Sequence, residues 1–354
     1  MSASLLAGCQ GTNQNAATVN TNSPDKQTPT GSTGVSHRQI QTNGISMHIA
    51  EAGAGPPVVL LHGFPELWYS WRHQLPALAS AGFHAVAPDM RGYGQTDAPP
   101  EIASYSMRNL TADVIGLFDA LKIEKSILVG HDWGANVAWA CAELYPERVA
   151  SLVALSVPYR PRSPLSPTEM NEKFAQGIFS FVRYFQQPGV AEGELEKEVR
   201  DSLLRFYYSL SGDAPPDLVP YLFTKKSADA GVLDGMPKPE KLPSWLSESD
   251  LDYYTREFGR TGFRGPLNWY RNLDRNWREL PELGTGKITQ PALFIGGERD
   301  SAVIFANLDA MKTHVPNLRK VLLLPGCGHW TQQERPVEVN RELLDFSRGD
   351  QGRE

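Results

Sequence analysis

The sequence predicts an α/β protein built on a mostly parallel, doubly wound sheet, with a helical lid inserted into it. Short apolar runs alternate with amphipathic helical patterns along most of the 354 residues, as parallel strands joined by helices require. Across residues 158–287 that alternation stops, and aromatic and charged residues replace the buried runs. A composition of 41% hydrophobic and 21% charged residues fits a globular chain, and no stretch approaches the ~20 apolar residues that span a bilayer.

The elements follow in order. His37–Gln41 and Ile45–Ala52 read as strands around Thr42-Asn43-Gly44, a hairpin turn because Asn-Gly tolerates positive φ. Pro57–Leu61 is continuously apolar, as expected of a strand covered on both faces. Ala85–Ala87, Ser126–Val129, Leu152–Leu155, Ala292–Ile295 and Val321–Leu324 read the same way. Ser106–Leu121, Ala135–Leu144 and Val337–Phe346 carry helical periodicity, so the strands are expected to join through right-handed crossovers. This divides the chain into a core of residues 37–157 and 288–354 and a cap of residues 158–287, placed after the sixth strand. Within the cap, the Pro- and Gly-rich stretch Ser211–Pro243 reads as a long loop.

Residues 1–36 are different in kind. From Gly11 to Ser36 they are mostly Thr, Asn, Ser, Gln, Gly and Pro without periodicity, and are expected to form a disordered tether. Leu6-Ala7-Gly8-Cys9 resembles a bacterial lipobox, which makes Cys9 a lipidation candidate and implies the bacterial cell envelope. Cys9 has no positively charged segment before it and only a short apolar one, so chance resemblance and a cytoplasmic protein stay open. A net charge of −6 with no basic block argues against nucleic acid or an anionic membrane as the main partner. Membrane contact is expected only through a lipid on Cys9, and no pattern addresses oligomeric state. Cys141 and Cys327 are expected to be buried free thiols, and no Cys-x-x-Cys pair suggests zinc or redox chemistry.

The most informative segment runs from Ser126 to Ala135: strand, sharp turn, helix. Gly130-His131-Asp132-Trp133-Gly134 has the Gly-x-nucleophile-x-Gly spacing of an elbow, in which small residues let strand and helix backbones approach. The plainer reading is a turn with Asp132 as a helix N-cap. The apolar run before it and the amphipathic helix after it favour the elbow. A carboxylate there is already anionic at neutral pH. It suits displacement at a saturated carbon, leaving an ester on the protein.

From about Ser36 to Phe346, the motifs HGFP (62–65), DMRGYG (89–94), GHDWG (130–134), GGERD (296–300) and GCGHW (326–330) resemble the epoxide hydrolases of the α/β-hydrolase fold. The resemblance implies a nucleophile, acid and histidine in that chain order. Asp132 is followed by Asp300, with Glu298 as the alternative acid, and by His329 after the last strand. It implies an oxyanion hole formed by the backbone N–H groups of Phe64 and Trp133. His62 reads as a loop-holding residue and residues 89–94 as structural. Two cap segments, around Tyr184 and Tyr270, resemble those that carry the family's paired tyrosines, whose phenols would hold and protonate the epoxide oxygen. Tyr69, Tyr159, Tyr207, Tyr208, Tyr253 and Tyr254 read as packing. Phe64, Trp133 and Trp330 are expected to line an apolar substrate pocket.

The implied activity opens a small apolar epoxide to a vicinal diol, with no metal or organic cofactor. A haloalkane dehalogenase shares the Asp nucleophile, the His and the HDWG turn, but it calls for a halide-binding donor, commonly Asn, where Phe64 stands. A serine esterase is disfavoured by Asp132. A non-catalytic ligand binder of the same fold would need none of this set.

Overall fold

A computed structural model describes residues 34–351 of the chain, side chains through Gly349. Residues 1–33, with Cys9 and nearly all of the expected tether, lie outside the described residues.

The first two strands, β1 (Ser36–Thr42) and β2 (Ile45–Ala52), form the hairpin, and Asn43 and Gly44 take the positive φ that its turn requires. Next come β3 (Pro57–Leu61), helix α1 (Gln74–Ser80), β4 (His84–Pro88), α2 (Met107–Ala120), β5 (Ser126–His131), α3 (Trp133–Leu144) and β6 (Val149–Leu155). Eight helices separate β6 from β7: α4 (Pro167–Phe174), α5 (Phe181–Tyr184), α6 (Val190–Leu195), α7 (Val199–Ser209), α8 (Leu218–Thr224), α9 (Glu248–Thr261), α10 (Arg264–Arg271) and α11 (Leu273–Glu279). The chain ends with β7 (Ala292–Gly297), α12 (Ser301–Ile304), α13 (Leu308–His314), β8 (Leu318–Leu324), α14 (Thr331–Glu334) and α15 (Pro336–Gln351).

All eight strands form one sheet in the order β1-β2-β4-β3-β5-β6-β7-β8, antiparallel at the β1–β2–β4 edge and parallel elsewhere. Alternate strand residues enter two separate cores. Val59, Leu61, Leu128, Ala154 and Phe294 face α2 and α3, whereas Val58, Leu60, Val129, Val153 and Ile295 face α1 and α15. Every strand expected from an apolar run is present, and several extend a few residues further.

The stretch expected to be a loop differs. Leu218–Thr224 is helical, because Val219 and Leu222, three residues apart, are both buried. Cys141 and Cys327 are free and buried, as expected.

In register, Leu61 lies beside Gly130 and His131 beside Leu155, so β3, β5 and β6 end at one level. Phe64, Asp132, Ser156, Asp300 and His329 all follow the C-terminal ends of parallel strands. In an open α/β sheet that is where ligands bind.

Candidate active site

The elbow is a backbone requirement before it is chemistry. Asp132 has φ 51° and ψ −116°, a conformation that L-residues other than glycine rarely adopt. The turn is held by close approach: a Cβ on Gly134 would strike the Leu61 carbonyl oxygen, and one on Gly130 would strike the Gly134 carbonyl oxygen. Asp132 therefore stands at the N-terminus of α3, partly buried, with its carboxylate turned toward the loop after β3.

That carboxylate has two neighbours. The Phe64 N–H donates to Asp132 Oδ1 at 2.9 Å, and His329 Nε2 lies 3.7 Å from Oδ2. Trp133 is the first residue of α3, where backbone N–H groups lack an intrahelical acceptor. On its other edge, His329 Nδ1 is 3.0 Å from Asp300 Oδ1 and also 3.0 Å from Ser156 Oγ. Burial alone would lower the His329 pKa. The Asp300 carboxylate and its hydrogen bond outweigh that, with help from Asp132, and raise it to about 9. Burial would raise the Asp300 pKa, and the His329 charge and hydrogen bond instead hold it below the usual carboxylate range. Asp300 also caps α12 by accepting from the Ala302 N–H at 2.9 Å. It is the acid that meets the imidazole, and it is fully buried, whereas the alternative Glu298 is exposed.

Above the elbow lies a cavity of about 620 Å³, lined mainly by apolar side chains from the sheet loops and from the helices between β6 and β7. Phe64 and Trp133 border it. Tyr270 borders it too, with its ring edge-on to Phe64, Trp133 and Phe185. Burial and then the Asp132 charge push the Tyr270 phenol well above its ordinary pKa, so it stays protonated.

Two expectations are corrected. Tyr184 does not reach the cavity: its hydroxyl donates to Glu194 Oε2 at 2.5 Å, and Phe181, Val182 and Phe185 are the residues of that segment on the cavity wall. At about 100° per residue, positions 181, 185 and 182 fall within one arc of about 100° that faces the cavity, and position 184 lies about 60° outside it. Trp330 is not a lining residue either. It is fully buried behind His329, with its indole N–H donating to the Tyr207 carbonyl at 2.8 Å.

Other residues fall where the sequence placed them. His62 Nε2 accepts from the Met90 N–H at 2.9 Å while Nδ1 faces the Gly63 carbonyl at 2.9 Å, the bonding of a neutral, loop-holding histidine. Asp89 accepts from the Trp68 N–H at 3.0 Å and is 2.8 Å from His48, a structural role. The hydroxyls of Tyr69, Tyr207 and Tyr254 bond to Asp250, the Pro65 carbonyl and Gln333 respectively. Tyr253 accepts from the Trp68 indole at 2.7 Å, and Tyr159, whose ring borders the cavity, donates to Glu143 at 2.8 Å.

Sequence reasoning missed a buried pair beneath the site. Glu66 accepts from the Gly63 N–H (3.1 Å), His131 Nδ1 (2.6 Å), Gln332 Nε2 (3.0 Å) and Gln333 Nε2 (2.9 Å). His131 Nε2 faces the His329 carbonyl at 2.7 Å. Burial would raise the Glu66 pKa, but the His131 charge and hydrogen bond lower it. Ser156, at positive φ and against His329, was also missed. Nothing in a one-dimensional pattern pairs residues 65 or more positions apart.

Among the described residues no cluster of three or more His, Cys, Asp or Glu side chains is arranged to hold a metal ion, and no helix is long and apolar enough to cross a membrane.

An eight-stranded sheet with a carboxylate at its elbow, followed in chain order by an acid and a histidine, defines the α/β-hydrolase class. The alpha/beta hydrolase fold family matches residues 56–336. Epoxide hydrolase A of Mycobacterium tuberculosis is 44% identical over 316 residues, covering 88% of this chain and 97% of that relative. Epoxide hydrolase 3 of Siraitia grosvenorii is 42% identical over 319 residues, covering 88% and 98%. The crystal structure of epoxide hydrolase A from Mycobacterium thermoresistibile superposes with a TM-score of 0.85 at 47% identity, covering 89% of this chain and 98% of that one. The chain belongs to the epoxide hydrolase family of the alpha/beta hydrolase fold.

Proposed function

We propose that this protein opens epoxides to vicinal diols through a covalent ester on Asp132. The observation that carries the reading is the convergence of the elbow carboxylate, the Phe64 N–H, the Asp300–His329 pair and the Tyr270 phenol on one largely apolar cavity. An Asp132 oxygen attacks an epoxide carbon from behind, breaking the C–O bond, and Tyr270 protonates the departing oxygen. An epoxide's leaving group is too basic to depart unaided at neutral pH, which is why a phenol is needed there. His329, oriented by Asp300, then takes a proton from water as the water attacks the ester carbonyl. The Phe64 and Trp133 N–H groups hold the oxyanion, an effect worth roughly 3 kcal/mol per donor in comparable sites. Collapse breaks the ester C–O bond, the proton of the added hydroxyl passes to the departing diol oxygen to restore the carboxylate, and the proton on His329 returns to the Tyr270 phenolate. Residues 158–287 act as the cap that closes the cavity and keeps stray water from the first step.

The dehalogenase reading is weaker, because Phe64 brings no side-chain donor for a halide. The test is His329→Gln incubated with styrene oxide. The peptide containing Asp132 gains the mass of the epoxide, while wild type yields diol and releases no halide from a panel of alkyl halides. Loss of activity without any adduct overturns the scheme.

A further inference from the structure

One charged group in the cavity has no role in the reaction just described. Arg160 follows β6 by five residues and lines the cavity that holds Asp132 and Tyr270. Its side chain is accessible to solvent, yet burial lowers its pKa. Many atoms surround it although water reaches it, since it lines both this open cavity and a smaller hollow beside Phe305 and Asn307. Among the described residues its guanidinium has no hydrogen bond and no carboxylate within 4.0 Å. Its only electrostatic partners are the more distant Asp132 and Asp300.

The other charged wall residues are engaged. Arg162 donates to the carbonyls of Trp277 and Leu280 and stacks on the Trp277 ring. Glu143 accepts from the Tyr159 hydroxyl and the Gly284 N–H. His329 is bound to Asp300. An arginine beside the reaction site with no protein partner is open to an anion on the ligand.

We propose, on the basis of the epoxide-opening reading above, that Arg160 selects the substrate: the epoxide carries a carboxylate that docks on this guanidinium while its ring lies against Asp132. The planar fork of an arginine matches a carboxylate in two parallel hydrogen bonds. A single free arginine in a mostly apolar wall suits a monoanion on a hydrocarbon body. Arg160 lies beyond ion-pair reach of Asp132 yet close enough to feel its charge, so an apolar spacer separates the acid from the ring.

The test uses two terminal epoxy acids, an epoxyhexanoate and an epoxyundecanoate, each beside its primary amide. The amide keeps the shape and removes the charge. For at least one pair, wild-type kcat/KM favours the acid, and in Arg160→Gln that preference falls about tenfold or more, as expected for one charged hydrogen-bonded pair. Arg160→Lys retains part of it. If wild type prefers neither acid, or if Arg160→Gln slows acid and amide alike, Arg160 acts only through Asp132 and the proposal is overturned. If neither pair yields diol the proposal also falls. Diol from styrene oxide in the same preparation then leaves the epoxide-opening reading standing, and its absence removes both. Should Arg160→Gln not fold, wild type decides: undecanoate must inhibit styrene oxide opening more strongly than undecanamide, and equal inhibition refutes the assignment.

Discussion

Esterification of Asp132 should change the basicity of His329, and that change can be measured. In the resting site the imidazole pKa is raised to about 9, with burial opposing and the Asp300 and Asp132 carboxylates prevailing. The span from the ordinary value of about 6.5 corresponds to about 3 kcal/mol. At the 3.7 Å between His329 Nε2 and Asp132 Oδ2, a unit charge in an effective dielectric of about 20 is worth about 4 kcal/mol. When attack converts Asp132 to a neutral ester, that attraction disappears. The His329 pKa should fall by about one to three pH units, toward the value at which a general base works well near neutrality. The sign is fixed by the role. Ester hydrolysis needs neutral imidazole, so its rate rises with pH through the lowered pKa and then levels, and the ester accumulates on the acid side. Single turnovers of styrene oxide, quenched at intervals from pH 5 to 10, give the hydrolysis rate from the decay of the adduct on Asp132. A midpoint that stays near 9, or a rate indifferent to pH, would refute the reasoning.

Three further outcomes follow from the geometry. Tyr270→Phe should lower kcat about a hundredfold or more, in the range of general acid catalysis, whereas Tyr184→Phe should leave steady-state rates within about twofold because its hydroxyl serves Glu194. Equal losses in the two variants would restore a pair of phenols. Gly134→Ala forces a Cβ into the Leu61 carbonyl, a backbone atom that cannot swing aside, and should destabilise the fold by about 2 kcal/mol or more, seen as a lower denaturant midpoint. Glu66→Gln removes a fully buried carboxylate that accepts from four donors and should cost about 3 kcal/mol, which urea unfolding measures directly.

What the sequence revealed and what it hid divide along a physical line. Buried parallel strands must be apolar on both faces, so PVVLL and its counterparts stand out. Asp132, Asp300 and His329, the proposed reactive residues, were legible because each follows a strand end within a motif that resembles the epoxide hydrolases. Tyr184 was misplaced because α5 is a single turn, too short for periodicity to show which face meets the cavity. Trp330 was misplaced because adjacency to His329 along the chain says nothing of the side on which a ring lies. Glu66, Ser156 and Arg160 went unseen, since their meaning lies in what folds against them from distant positions or, for Arg160, in what does not.

The four donors gathered by Glu66 come from the turn after β3, from the last residue of β5 and from the segment following β8. Three chain excursions are thereby knotted at a single oxygen-bearing side chain, and His131 adds a stitch to the backbone of His329. Shifting any one of them breaks bonds that hold the others, so whatever parts to admit a guest is expected among the helices between the sixth and seventh strands that border the cavity.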